Sequence, residues 1–287
     1  MKKLSVVLAV YNEETNLATC LKSVKDIADE IIIVDGGSTD KTVEIAKSFN
    51  AEVIITDNPP IFHINKQKAL EQATGEWILQ LDADEVISNQ LADEIIKIIH
   101  MTNMEIVKYE ESLPKRNLFL RHQKLLVQRD DNIGIQEGPF NAFFFPRLNY
   151  FLGKYLRYGG VYPDGVIRLV KKGKAHFPCK SVHEQIIVEG RAGWLQNDLI
   201  HMADPTFKRY LERNNRYIEL IAKELRQDKT PRGLWQFFDY FLFKPLSWFL
   251  MTQIRNKGIL DGYQGIIFSF FSALRFPRAY WRYIFNK

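Results

Sequence analysis

Asp82 and Asp84 stand one residue apart, directly after the apolar run Trp77-Ile78-Leu79-Gln80-Leu81, and Glu85 follows at once. Two carboxylates so spaced, just past a buried strand, can hold a divalent cation at the carboxyl edge of a sheet. That edge is where open α/β folds bind ligands. Mg²⁺ and Mn²⁺ prefer oxygen donors and commonly share their coordination shell with substrate phosphates, so the spacing points to a metal-bridged diphosphate. Asp-x-Asp also occurs on loops by chance, and its meaning here depends on what positions it.

The elements that must do so alternate between strand and helix. Residues 4–10, 30–34, 53–56 and 77–81 are short apolar runs that read as strands buried on both faces. Between them lie helical patterns over 16–28, with Leu17, Cys20, Leu21 and Val24 on one face, then 41–49 and 65–73. Ser38 or Thr39 can cap the second helix, and Gly75 suits the position just past the third. A βαβ sheet is expected. Residues 89–100 read as a further helix, while 118–127 are compatible with helix or strand. Turn signals between short apolar runs over 143–200 predict strands that continue the sheet. Asp204 and Pro205 then have the form of an N-cap and first helical residue.

Composition narrows the class. The apolar share of 46% and charged share of 25% are those of a globular protein. Two cysteines, Cys20 and Cys179, argue against a disulfide scaffold and suit a reducing compartment. The apolar run at 4–10 passes straight into Tyr11-Asn12-Glu13-Glu14 with no cleavage pattern, so a cytoplasmic location is expected. The net charge of +5 hides an asymmetry: from Pro205 onward there are 15 Lys and Arg against 6 Asp and Glu, and before it 24 against 28. Residues 233–287 hold 17 of the 37 aromatics.

The ordered motifs resemble a known family. Leu4-Ser5-Val6-Val7 leading to Tyr11-Asn12-Glu13-Glu14, then Ile33-Val34-Asp35-Gly36-Gly37-Ser38-Thr39-Asp40, Ala73-Thr74-Gly75-Glu76-Trp77 and Leu81-Asp82-Ala83-Asp84-Glu85 look like the family 2 glycosyltransferases of GT-A fold. Further on, Phe151-Leu152-Gly153-Lys154, Gly159-Gly160-Val161-Tyr162-Pro163-Asp164, Arg168-Leu169, Val182-His183-Glu184 and Lys257-Gly258-Ile259-Leu260-Asp261-Gly262 are similar to the branch of lipopolysaccharide core β-glucosyltransferases. Only 102–142 departs from that pattern, as an insertion. The resemblance implies a Rossmann-like, mostly parallel sheet flanked by helices over 1–203, followed by a helical, aromatic and basic extension over 204–287.

It also implies an inverting, metal-dependent transfer of a sugar from a nucleotide-diphosphate donor, with UDP the nucleotide to expect and Mn²⁺ or Mg²⁺ the ion. Asp35 is placed to accept a hydrogen bond from the base, or is a turn aspartate. Tyr11 and Asn12 would line the same pocket. Glu13 would join them, or serve as favourable charge at a helix start. Asp82 is expected at the ribose or the metal's waters, and Asp84 on the metal itself. One of Lys66 and Lys68 faces the nucleotide, unless both lie on a solvated helix face. Arg168 contacts phosphate or sits at a strand end. By resemblance Glu184 is the general base and His183 its orienter. His201 either completes the metal shell or is structural.

The acceptor expected is a lipid-linked or lipopolysaccharide-type saccharide at the inner face of the plasma membrane. The tail fits that location: two short helices broken near Pro245 and lying in the interface, with aromatics beside Arg275, Arg278 and Arg282. The other reading is that these aromatics pack a helical subdomain or a homo-oligomer contact. No nucleic-acid motif accompanies the basic residues. A nucleotidyltransferase would need a basic Gly-rich loop after the first strand, and a dehydrogenase Gly-x-Gly-x-x-Gly; neither is present. The remaining alternative is a non-catalytic nucleotide-sugar-binding or scaffold protein.

Overall fold

A computed structural model describes residues 3–130, 137–180 and 185–285. The chain forms two compact units, Met1–Arg147 with Asp164–His201, and Leu148–Pro163 with Met202–Lys287.

The first unit contains β1 (Leu4–Val10), α1 (Leu17–Val24), β2 (Glu30–Asp35), α2 (Thr42–Ser48), β3 (Glu52–Ile55), α3 (His63–Gln72), β4 (Trp77–Leu81), β5 (Glu85–Ile87) and α4 (Asn89–Ile99). The segment that departs from the resemblance follows as two helices, α5 (Asn103–Ser112) and α6 (Arg116–Asp130), and runs into β6 (Phe140–Phe151). After β7 (Lys154–Tyr155) come β8 (Asp164–Lys171), β9 (Ala175–His176), β10 (Ile187–Val188), β11 (Arg191–Trp194) and β12 (Leu199–Asp204). β6 and β12 each run from the first unit into the second.

The sheet order in this unit is β3-β2-β1-β4-β8-β6. The first four strands are parallel; β8 runs antiparallel to β4, and β6, antiparallel to β8, returns to the direction of the first four. β1 alternates between two cores: Leu4, Val6, Leu8 and Val10 pack with α1 and α4, and Val7 packs with α3 and α6. Burial on both faces is why β1 and β4 read as unbroken apolar runs. This is the GT-A type of α/β architecture that the sequence implies.

Several local expectations change. α2 begins at Thr42 with no side-chain cap, because the Ser38 hydroxyl is engaged by Asp35 and by the Asn12 N–H. Gly75 is needed for close approach, not for a left-handed cap: a Cβ there would meet Ser5 Oγ at 2.6 Å and Ser5 N at 2.9 Å. Residues 118–127 are helical, within α6; Phe119, Gln123 and Leu126 are buried while Leu118, Leu120 and Leu125 are exposed, so no clean period shows.

In the second unit α7 (Phe207–Gln227) is capped by the Thr206 hydroxyl, which accepts from Arg209 N. Asp204 instead ends β12, where its carbonyl accepts from Leu152 N at 3.1 Å and its carboxylate pairs with Arg213. Next comes an unbroken helical run: α8 (Leu234–Phe238), a π-turn (Asp239–Phe243), α9 (Lys244–Leu250) and a second π-turn (Met251–Arg255). The expected break at Pro245 does not occur. The first π-turn widens the ladder just before it, where proline lacks an N–H and crowds the preceding turn. α10 (Tyr263–Ala273) and α11 (Arg275–Phe285) complete the unit. Tyr240, Tyr280, Tyr283 and Leu225 form one small core, and Phe151, Leu156 and Tyr210 another. The Lys257-Gly258-Ile259-Leu260-Asp261-Gly262 motif is structural: buried Asp261 accepts from Arg157 N and, at 2.8 Å, from Tyr158 N. No helix among the described residues is long and apolar enough to cross a membrane.

Candidate active site

The carboxyl ends of β1 and β4 border a cleft of about 300 Å³, with Tyr11, Glu13, Lys66, Asp82, Asp84 and His201 around it. Lys66 comes from α3, and His201 from β12, opposite Glu85 in the antiparallel pair with β5.

Asp82 is the centre of a charge network. Its Oδ1 lies 2.5 Å from Lys66 Nζ and its Oδ2 2.5 Å from Arg168 Nη2. Arg168 also donates to Glu85 Oε1 at 2.7 Å and to Gln80 Oε1 at 2.6 Å, while Glu85 accepts from Asp82 N at 3.0 Å. Arg147 joins Glu85 at 3.5 Å to Asp164 at 2.6 Å. Burial would raise the Asp82 carboxyl, but Arg168 and Lys66 outweigh it and hold it well below the usual carboxylate range. Desolvation lowers the Lys66 ammonium, against the pull of Asp82. Burial and the neighbouring carboxylates Glu85, Asp82 and Asp84 push the Cys20 thiol well up, so it stays protonated and unreactive.

Asp84 and His201 face each other, Oδ2 to Nε2, at 3.5 Å. Among the described residues no three His, Cys, Asp or Glu side chains gather into a metal cage. One carboxylate and one imidazole nevertheless fit an open site, since Mg²⁺ keeps several waters and shares its shell with phosphate. Asp82 suits direct ligation poorly, because each of its oxygens already faces a cation.

The other sequence candidates divide. Asp35 is buried, and its Oδ1 accepts from Gly37 N at 3.0 Å and Ser38 N at 2.8 Å, so it shapes the turn after β2. Asn12 sits in the left-handed region and its Oδ1 accepts from Thr39 N at 2.9 Å, tying the β1 loop to that turn. Glu13 Oε2 accepts from Asn16 Nδ2 at 2.7 Å while bordering the cleft. Lys68 is exposed and donates to Thr56 Oγ1 at 2.8 Å, so of the two lysines it is Lys66 that reaches the cleft. Arg168 is neither at a strand surface nor turned toward solvent; it is 6% exposed and bound to Asp82 and Glu85. His183 and Glu184 lie outside the described residues.

Sequence reasoning missed Gln80, Glu85, Arg147 and Asp164 as partners in this network. Gln80 carried the one usable signal, a lone amide inside an apolar strand, where a polar group needs a partner. Arg147 and Glu85 are 62 residues apart and meet only through sheet topology.

Comparison with known proteins gives the family. The description Glycosyl transferase family 2 matches residues 5–159. The chain is 27% identical over 294 residues to an uncharacterized glycosyltransferase of Rickettsia typhi, covering 97% of this chain and 87% of that one. It is also 27% identical over 296 residues to the lipopolysaccharide core biosynthesis glycosyltransferase LpsC of Rhizobium meliloti, covering 95% and 91%. Among solved structures, glucosyl-3-phosphoglycerate synthase from Mycobacterium tuberculosis, in complex with Mn²⁺, uridine-diphosphate and glucosyl-3-phosphoglycerate, is 26% identical with a TM-score of 0.27. That match is confined to 30% of this chain and 34% of the other. With more than half of its length matched by that description, the chain belongs to glycosyl transferase family 2.

Proposed function

We propose that this glycosyltransferase moves a sugar, with inversion, from a UDP-type nucleotide-diphosphate donor to a lipid-linked or lipopolysaccharide-type saccharide. The observation that carries this reading is Lys66 and Arg168 locked onto Asp82, beside Asp84 and His201, at the carboxyl end of β4. Lys66 supplies positive charge where a diphosphate would lie. Asp82, held by two cations, presents its remaining lone pairs toward ribose or water. Asp84 and His201 would hold Mn²⁺ or Mg²⁺, which when bound stabilises the charge of the departing diphosphate. Asp35 takes the base at the end of β2, and Tyr11 and Asn12 border it.

Glu184 serves as general base. It takes the proton of the acceptor hydroxyl, whose oxygen bonds to the anomeric carbon as the bond to the diphosphate breaks on the opposite face. His183 orients it. The acceptor class draws support from the printed name of the Rhizobium relative. An acceptor of that class lies at a membrane, and the exposed aromatic and aliphatic side chains of 234–255 suit docking there from the cytoplasmic side.

Screening UDP-sugars by thermal melting with Mn²⁺ tests the donor half. Ligand at 100 times its Kd stabilises by about 2.7 kcal/mol. A UDP-sugar is expected to raise Tm in the presence of Mn²⁺ and to lose most of that effect with a chelator. No shift with any nucleotide sugar would contradict the reading.

A further inference from the structure

The first unit holds a second, larger cavity of about 630 Å³, well apart from the cleft at Asp82. It is built largely from α5 and α6. α5 contributes Val107 and Glu110, and α6 contributes Arg116, Leu120, Arg121 and Lys124. The start of β6 and of β11 closes it with Phe140, Arg191 and Ala192.

Sheet register places this cavity at the opposite end of the strands from the active site. Arg191 pairs with Phe140, and Ala142 pairs with Val170 of β8, one residue from the Lys171 that faces Trp77 at the start of β4. Asp82 follows the other end of β4. Arg147, the β6 residue that reaches Glu85, lies seven residues beyond Phe140 in the same strand. At 3.3 Å per residue the separation is roughly 20 Å. A group bound in this cavity is therefore out of reach of the donor's anomeric carbon.

Its chemistry is amphipathic. Val107, Leu120, Phe140 and Ala192 give it an apolar floor, while Arg116, Arg121, Lys124 and Arg191 stand against only Glu110 and Glu111. Arg191 is fixed in advance: its Nε donates to Gly138 O at 2.6 Å and its guanidinium lies 4.2 Å from the Phe140 ring centroid. Arg116, Arg121 and Lys124 have no ion-pair partner among the described residues, although they stand together on one helix. Arg121 and Lys124, three residues apart, are like charges on one helix face, which is unfavourable without a counter-charge. Glu110 does not fill that need. Its carboxylate is already taken by Trp194 N, and burial pushes it up to about 7 against the opposing effect of that hydrogen bond, Arg116 and Arg191. The volume lies within the range of pockets that enclose small ligands. The face of Phe140 is occupied by Arg191, which disfavours a stacked nucleobase, and the aliphatic side chains of Val107, Leu120 and Ala192 beside it suit an aliphatic body.

We propose that this cavity is a second ligand site, for a lipid phosphate: an aliphatic chain on the Val107–Leu120–Phe140 floor and a phosphate held by Arg116, Arg121, Lys124 and Arg191. The site is independent of the donor reading, because it uses none of the same residues and is read by binding alone.

Octyl phosphate, below its micellar concentration, is the probe, titrated calorimetrically into the full chain with UDP and Mn²⁺ present to occupy the donor cleft. Inorganic phosphate and octyl glucoside serve as single-feature controls. One-to-one binding is expected, at least ten-fold tighter than either control. The doubly charge-reversed variant Arg116→Glu/Arg121→Glu, whose sites are exposed, should keep the wild-type melting temperature and lose that binding at least ten-fold. Lys124→Glu provides a second, milder variant with the same direction. Equal affinity for octyl phosphate and inorganic phosphate, or binding unchanged by the charge reversals in a folded protein, would overturn the proposal.

Discussion

Arg168 illustrates how tightly the cleft depends on single side chains. Its guanidinium is the shared partner of Asp82, Glu85 and Gln80, and Glu85 is fully buried. Removing one member of a buried ion network leaves an uncompensated charge and costs about 3–5 kcal/mol. Arg168→Gln is therefore expected to lower denaturant stability by that order, whereas Lys68→Ala, at an exposed position, stays within about 0.5 kcal/mol. Glu110 gives a pH signature. Its carboxyl is raised by burial from 4.5 to about 7, so the folded state binds a proton more tightly than the unfolded chain. Stability from that proton is fully present below pH 4.5 and is lost as pH rises through about 7, by roughly 3 kcal/mol at most. Glu110→Gln keeps an acceptor for Trp194 N and should flatten Tm against pH across that window; an unchanged slope would show that Glu110 does not titrate there. At this scale the sequence was partly legible. Asp82 and Asp84 stand out by motif and spacing, whereas the choice of Lys66 over Lys68 comes only from the fold, which turns Lys66 onto Asp82 and Lys68 to the surface. The true partners of Arg168 are 83 to 88 residues away in the chain and emerge only when β8 pairs with β4.

Among elements, the helical run over 234–255 carries the clearest unexpected design. Leu234, Phe238, Leu242, Leu246, Leu250 and Ile254 recur every four residues and are all exposed. A four-residue repeat drifts around an ordinary helix of 3.6 residues per turn, but the two π-turns bring the average near about four and keep the row on one side. The charges that interrupt the run are paired internally, Lys244 Nζ with Asp239 Oδ2 at 3.1 Å. The tail aromatics divide: Tyr240, Tyr280 and Tyr283 pack inward as a helical subdomain requires, and Trp235, Phe243 and Trp281 are exposed, as a membrane or subunit contact would need. The double variant Leu242→Asp/Leu246→Asp should weaken co-flotation with anionic vesicles at least ten-fold while leaving the melting temperature unchanged. Undiminished flotation would remove this row from the membrane contact. The widening turns have no sequence signature beyond Pro245. That is why a break was expected where the helix continues.

For the molecule as a whole, the first four strands and the alternating helices were legible because parallel strands write continuous apolar runs, whereas the strand order emerges only in the fold. α5 and α6 were not, because α6 buries only a narrow face under the sheet and exposes leucines on the other. The proposed function makes one chemical claim: the donor is bound and activated at Asp84, and Glu184 deprotonates the acceptor. The direct test is UDP release from the UDP-sugar that most stabilises the protein, with Mn²⁺ and a lipopolysaccharide core saccharide as acceptor. Wild type, Asp84→Asn and Glu184→Gln are to be compared. Loss of a general base costs typically 10²–10⁴-fold, so Glu184→Gln should turn over at least about 100-fold more slowly while still stabilised by the donor, and Asp84→Asn should lose turnover together with the Mn²⁺-dependent stabilisation. Wild-type turnover in either variant would contradict the account.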